Sequence, residues 1–332
     1  MIKILIATLV AFAICVAVMP LVIMLGKRLK VRQTILSYVD NHISKSGTPT
    51  MGGIGVMIAL SICCPVFSNK DNTLMLVTLF VTLGYGIIGF IDDFIKVFFK
   101  QNKGLSPLQK IVFQLLIAVI VSVFAYNNSL VGSVIYAPFT LKELDLGMAA
   151  IPLFMLVFLA FTNSVNLTDG LDGLAGKVSV SYLFFFAIII AFAAYASGDG
   201  AVESEFGNLV LYCGVLMGAL CGFLCYNCYP AKVFMGDTGA LALGGGFGCL
   251  TVMSGLELVA PIIGVMFVAT SLSVILQVVS FKATKKRIFL MAPLHHHFER
   301  KGIHENRIVT VYSSVTAAVG ILTVIITAAC VL

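Results

Sequence analysis

Charge is what this chain has least of. Of its 332 residues only 11% are charged, 15 acids against 21 lysines and arginines, while 60% are hydrophobic. A mean hydropathy of +1.06 is more than the core of a soluble domain can bury, so a soluble enzyme is excluded. The chain also lacks low-complexity tracts, internal repeats and any polar stretch long enough for a soluble domain, so one integral membrane domain over residues 1–332 is expected. A cleavable leader is not expected either. The first apolar run is too long for a signal-peptide core and is followed by no clear small-residue cleavage site. Nine cysteines offer no framework: they lie in or beside apolar stretches and read as small hydrophobes. Cys225 and Cys228 form a C-x-x-C without a second ligand pair, which argues against a metal or redox role.

What is present is a series of apolar runs of roughly 20 residues, the length that crosses a hydrocarbon core. The expected fold is all-α and polytopic. About ten spans are read near 2–26, 51–68, 74–95, 107–126, 150–165, 177–197, 208–227, 238–255, 258–281 and 309–331. Lysine and arginine set the orientation, because cytoplasmic loops accumulate them. One face carries Lys27, Arg28, Lys30, Arg32, Lys45, Lys96, Lys100, Lys103, Lys110, Lys177 and Lys232, then the basic residues from Lys282 to Arg307. The other face has Lys3, Lys70 and Lys142. The first face is therefore expected to be cytoplasmic, with both termini outside, and the net charge of +6 reflects topology rather than nucleic-acid binding. Asp71, Glu143, Asp145, Asp199, Glu203, Glu205 and Glu257 fall in the outer loops as ordinary acids. The segment 127–149, with Val134, Ile135 and Tyr136 before Pro138, suggests a small hairpin.

Five further aspartates, Asp92, Asp93, Asp169, Asp172 and Asp237, sit at ends of apolar stretches, all on the basic face. A carboxylate near hydrocarbon costs on the order of 3 kcal/mol, so each one is a functional candidate. Asp92 and Asp93 are adjacent on a helix, diverge by about 100°, and should serve different neighbours. Ser106 and Pro107 read as the cap and first turn of the next helix, which places Lys110 near the membrane surface. In KSGTPTMGG, Lys45, Thr50 and a glycine-led helix start suit a phosphate, although a capped helix packed closely explains the segment as well. NSVNLTDGLDGLAG interleaves Asn163, Asn166, Thr168, Asp169 and Asp172 with Gly170, Gly173 and Gly176, a backbone that can approach a sugar, a base or a hydrated cation. In NCYPAKVFMGDTG, Asn227 and Phe234 precede Asp237 and Thr238, which could simply cap the following helix; as the fifth acid on this face, Asp237 has a second reading as a metal ligand. His295, His296 and His297 run consecutively in MAPLHHHFE and cannot all ligate one ion from a helix, so they read as phosphate or sugar contacts. An oxygen-rich carboxylate set fits Mg²⁺ better than Zn²⁺, and the chemistry it suggests is phosphoryl transfer at the cytoplasmic surface.

The strings KSGTPTMGG, IDDF, GLSPLQK, NSVNLTDGLDGLAG, FMGDTGALALGG and MAPLHHHFE, in this order from about 42 to 300, closely resemble the phospho-N-acetylmuramoyl-pentapeptide-transferases, a branch of the polyprenyl-phosphate hexosamine-1-phosphate transferases. The acidic motifs are those of the whole superfamily; the uninterrupted histidine run resembles the muramoyl-pentapeptide branch. Upstream of Lys45 the chain reads LSYVDNHISK, where the family commonly has a basic residue and Gly-Pro.

The resemblance implies transfer of phospho-N-acetylmuramoyl-pentapeptide from UDP to undecaprenyl phosphate, with release of UMP, in the bacterial cytoplasmic membrane. It implies Asp237 as the Mg²⁺ ligand, Asp92 as the group that orients or deprotonates the lipid phosphate, and Asp93 as its support. Asn166, Asp169, Asp172, Gly173, Asn227 and Phe234 would hold the nucleotide-sugar, with Phe234 stacking on uracil. Lys45, Thr50, Lys110 and the three histidines would bind diphosphate or sugar. Direct attack by the lipid phosphate is favoured over a covalent aspartyl intermediate, since the acceptor already carries its nucleophile. The partners are then the donor, the lipid phosphate and the bilayer, and a homodimer is compatible with all of this. Two alternatives stand beside this reading: a transferase using UDP-N-acetylglucosamine, and a cation or proton transporter, which would instead place polar groups at span midplanes.

Overall fold

The structure is a computed structural model that describes residues 1–28, 47–70, 72–99 and 104–332. Its helices are α1 (Ile2–Arg28), α2 (Gly53–Phe67), α3 (Thr73–Phe98), α4 (Pro107–Asn127), α5 (Ala150–Thr168), α6 (Leu174–Ser197), α7 (Gly200–Asn227), α8 (Gly236–Met253), α9 (Ala260–Ile263), α10 (Val265–Thr284), α11 (Leu294–Arg300) and α12 (Glu305–Val331). Among the described residues eight of these are long and apolar enough to cross a membrane. The protein is an all-α polytopic membrane protein.

Every segment read as a span is helical, but α2 and α8 are not among those eight. α2 has 15 residues, about 22 Å at 1.5 Å per residue, which is short of a core about 30 Å thick. α8 is the axis of the bundle, with every residue from Thr238 to Met253 buried. A helix enclosed by protein needs no lipophilic outer face, and its place is taken by glycines that let neighbours approach. Gly239 meets Gly53 of α2, Gly244 meets the Thr162 backbone of α5, and Gly245 meets the Tyr85 ring of α3. On α7, Gly214, Gly218 and Gly222 recur every fourth residue and let α1 in; a Cβ on Gly218 would collide with the Thr8 carbonyl.

Two boundaries depart clearly from the sequence reading. The span expected at 258–281 is broken at Gly264 into α9 and α10. α7 begins at Gly200 rather than 208, because the Asp199 side chain accepts the Ala201 N–H at 2.8 Å and starts the helix early. Glu205 is consequently no loop acid. It is buried inside α7, and its two oxygens accept the Thr73 and Leu74 N–H groups of α3 at 3.0 and 3.1 Å. Glu257 is also buried rather than an ordinary loop acid, and burial pushes its carboxyl well up.

The expected hairpin forms from β1 (Val134–Tyr136) and β2 (Glu143–Asp145), antiparallel with Ile135 opposite Leu144. Tyr136 N–H donates to the Gly255 carbonyl at 2.7 Å, which ties the hairpin to the end of α8. The candidate residues gather at the opposite end of α8, where α3 finishes and α4 begins.

Candidate active site

α3 runs on past the paired aspartates to Phe98, so Asp92 and Asp93 lie inside the helix and are 0% and 3% exposed. As their helical divergence requires, they face different partners. Asp92 accepts the Leu105 N–H at 2.7 Å, fixing the approach to α4. Asp93 accepts both the N–H and the hydroxyl of Thr238, at 2.9 and 2.8 Å. The capping of α8 is therefore not done by Asp237 and Thr238 themselves. The acceptor comes from α3, and this frees Asp237 to turn into the site.

Asp237 joins four elements. Its Oδ2 lies 2.8 Å from Lys96 Nζ of α3 and 2.7 Å from Lys110 Nζ of α4. Its Oδ1 accepts from the Asn166 amide of α5 at 2.8 Å. The same two ammonium groups contact Asp92 Oδ2 at 2.5 and 3.1 Å, and Lys96 is 3.6 Å from Asp93. Two lysines thus stand among three carboxylates, a balance that makes burial of so many acids tolerable. Ser106 and Gln109 hold Lys110 in place through a reciprocal capping box, Gln109 N–H to Ser106 Oγ at 3.3 Å and Ser106 N–H to Gln109 Oε1 at 2.9 Å.

Carboxylate oxygens of Asp92, Asp93 and Asp237 come within 4.8 Å of one another, so the group is able to hold a divalent cation. All-oxygen donors suit a hard ion such as Mg²⁺, and the lysine charges mark where positive charge is already stabilised. Gly236, at φ 73°, makes room for this corner: a Cβ there would lie 2.6 Å from both Asp93 Oδ2 and Thr50 Oγ1. Thr50 therefore borders the cluster. Lys45 lies outside the described residues.

A second group surrounds the loop between α5 and α6. Asp169 is partly accessible, and burial together with the like charges of Asp237, Asp93 and Asp172 pushes its carboxyl up to about 8. Asp172 and Asn227 are each 3% exposed and bind backbone. Asp172 Oδ2 accepts the Ala231 N–H at 2.9 Å, Asn227 Oδ1 accepts the Gly173 N–H at 3.1 Å, and the Asn227 amide donates to the Val233 carbonyl at 2.9 Å. These ties join the α5–α6 loop to the α7–α8 loop, which carries half-buried Phe234. The backbone of Phe234 in turn pairs with Pro49 and Gly52 at 2.8 Å.

The histidines separate. His295 is buried against Gly170, where a Cβ would collide with its ring. His296 Nδ1 meets Glu299 at 2.9 Å, and His297 Nδ1 accepts the Leu290 N–H at 3.1 Å. His295 is thereby placed against an acidic loop, while His297 is engaged by its own segment.

Comparison with known proteins gives the family. Residues 75–255 match the model of Glycosyl transferase family 4. The chain is 45% identical to the phospho-N-acetylmuramoyl-pentapeptide-transferase of Clostridium novyi (strain NT), over 93% of this chain and 92% of the relative. Relatives of the same name from Clostridium kluyveri and Thermoanaerobacter sp. (strain X514) are 43% and 44% identical, each over 95% of this chain, and over 96% and 95% of their own lengths. The chain belongs to the phospho-N-acetylmuramoyl-pentapeptide-transferase family. All nine cysteines of this family member are free among the described residues, including Cys225 and Cys228.

Two members of the constellation escaped the sequence reading. Lys96 was counted only as a topological charge, although its i+4 and i+3 spacing from Asp92 and Asp93 is the signal of a helical ion pair. Glu305, which accepts the Asp172 N–H at 2.5 Å, carries no local signal beyond being an acid in the first turn of α12.

Proposed function

We propose that this protein transfers phospho-N-acetylmuramoyl-pentapeptide from its UDP-linked donor to undecaprenyl phosphate, at the cytoplasmic face of the bacterial membrane. The observation that carries the reading is the convergence of Asp92, Asp93 and Asp237 with Lys96 and Lys110 at one end of the bundle, in a chain whose relatives bear that enzyme's name. A phosphate oxygen of the lipid attacks the phosphorus bonded to the sugar. The bond to the second phosphate breaks, and UMP leaves with the released charge.

Such a transfer needs little covalent help and much positioning and charge neutralisation. Lys96 and Lys110 exchange carboxylate partners for phosphate oxygens as the substrates enter. Asp92, already between both ammonium groups, orients the lipid phosphate, and Asp93 supports the site by anchoring Thr238. Asp237 is the proposed Mg²⁺ ligand, with Asp92 and Asp93 in reach. Bound there, the ion would neutralise charge on the diphosphate. Asn166, Asp169 and Thr50 line the donor's path, which His295 backs through Gly170; Asp172, Gly173 and Asn227 shape its floor, and the Phe234 ring stacks on the base. Lys45 belongs to the diphosphate contacts on sequence grounds.

The test is UMP release by purified protein with undecaprenyl phosphate, comparing UDP-N-acetylmuramoyl-pentapeptide with UDP-N-acetylglucosamine. Release with the first donor and Mg²⁺, and not with the second, is expected. Exclusive use of the simpler sugar would move the protein to another branch of the superfamily, and no release with either donor would refute the transferase reading.

A further inference from the structure

The loop of residues 169–173 contains Gly170 and Gly173 and has little stiffness of its own. It is gripped from two sides. On one side the α7–α8 loop holds it through Asn227 and Ala231. On the other, His295 packs under Gly170 and the Asp172 N–H ends on Glu305 Oε1 at 2.5 Å, a contact between residues 133 apart in the chain. Glu305 is 8% exposed and projects from the start of α12, a helix that supplies none of the carboxylates or lysines of the cluster.

We infer that Glu305 is a positioning residue: it seats the 169–173 loop from the α12 side, holds Asp169 toward the carboxylate cluster, and so governs capture of the nucleotide-sugar donor rather than of the lipid phosphate. The geometry separates the two substrates because the Glu305 hydrogen bond is made to the donor loop. Asp92, Lys96 and Lys110 are held by α3 and α4 through contacts that do not involve it. A buried hydrogen bond to a charged acceptor is also costly to break, since the amide left behind has no water to turn to.

The kinetic part of this inference rests on the transferase reading, whereas its structural part does not, so two measurements are paired. In the UMP-release assay Glu305→Ala is expected to raise the donor KM about tenfold, the equivalent of one lost hydrogen bond of roughly 1.4 kcal/mol, with the lipid-phosphate KM within about twofold. Glu305→Gln keeps an acceptor oxygen and is expected to restore the donor KM to within about threefold, while Glu305→Asp, one methylene short, falls between. In hydrogen–deuterium exchange, independent of turnover, amides of 169–176 are expected to exchange about tenfold faster in Glu305→Ala and Glu305→Asp than in the wild type or Glu305→Gln. Equal rises in both KM values, a loss confined to kcat, or unchanged exchange over 169–176 would each overturn the assignment. An inactive wild type would count against the transferase reading alone, with the exchange result still deciding the role of Glu305.

Discussion

Asp237 shows how one residue's meaning depends on who satisfies its neighbours. With Thr238 held by Asp93, its carboxylate is left to Lys96, Lys110 and Asn166. Asp237→Ala is expected to lower kcat for UMP release by about 10²–10³, the loss typical of removing one preorganised electrostatic contact, and Mg²⁺ titration should no longer saturate. Lys96→Met tests the lysine that the sequence marks only as a topological charge and should cost at least about tenfold in kcat/KM. Asp169 gives a pH-dependent prediction. Its folded pKa of about 8 lies above the ordinary carboxylate value of about 3.9, so its charged form opposes folding, and stability falls as pH rises from about 4 to about 8. In the metal-free protein, Asp169→Asn is therefore expected to melt higher than the wild type at pH 8.5, with the difference vanishing near pH 4. A thermal-shift series in detergent with EDTA reads it.

At the scale of elements, function hangs on the contact between α3 and α8. Gly89 is the closest point: a Cβ there would run into the Asp237 carbonyl. Gly89→Ala should push the start of α8 away from Asp93, costing about 1–3 kcal/mol of stability and lowering UMP release more than stability alone explains. The far end of α3 is held by Glu205, which takes two orphan N–H groups of its first turn. Glu205→Ala should destabilise by roughly 1–3 kcal/mol, with Glu205→Gln retaining part of it, as measured by thermal unfolding. Neither dependence shows in local sequence. Glu205 looks like a loop acid because its neighbours are polar, yet it is turned inward by partners about 130 residues away.

At the scale of the molecule, the charge pattern and the packing describe the same asymmetry. Asp92, Asp93 and Asp237, three of the acids assigned to the basic face, meet at one end of α8, and the hairpin caps the other. Cysteines placed at Lys286 and Lys142 should label on opposite sides of the membrane with an impermeant thiol reagent, Lys142→Cys from outside and Lys286→Cys only after permeabilisation. Labelling of both from one side would refute the proposed orientation. Composition made most of the helices legible, because lipid demands continuous apolar surface. It was less informative where protein replaces lipid. α8 is enclosed and glycine-rich, and the 258–281 run divides at Gly264.

By itself the sequence determined that the protein lives in a membrane, that it is helical, which acids are too costly to be idle, and through its motifs which family it resembles. These follow from local quantities: the transfer cost of each side chain, the period of a helix, the order of short strings. Tertiary structure alone decided the pairings. Asp93 caps α8 across 145 residues, Lys110 reaches Asp237 across 127, and Glu305 seats a loop across 133. Such contacts depend on how closely α3, α4, α5 and α12 approach their neighbours. For α3 and α5 that distance is set by glycines packing against backbone, a pairing that no single stretch of sequence contains.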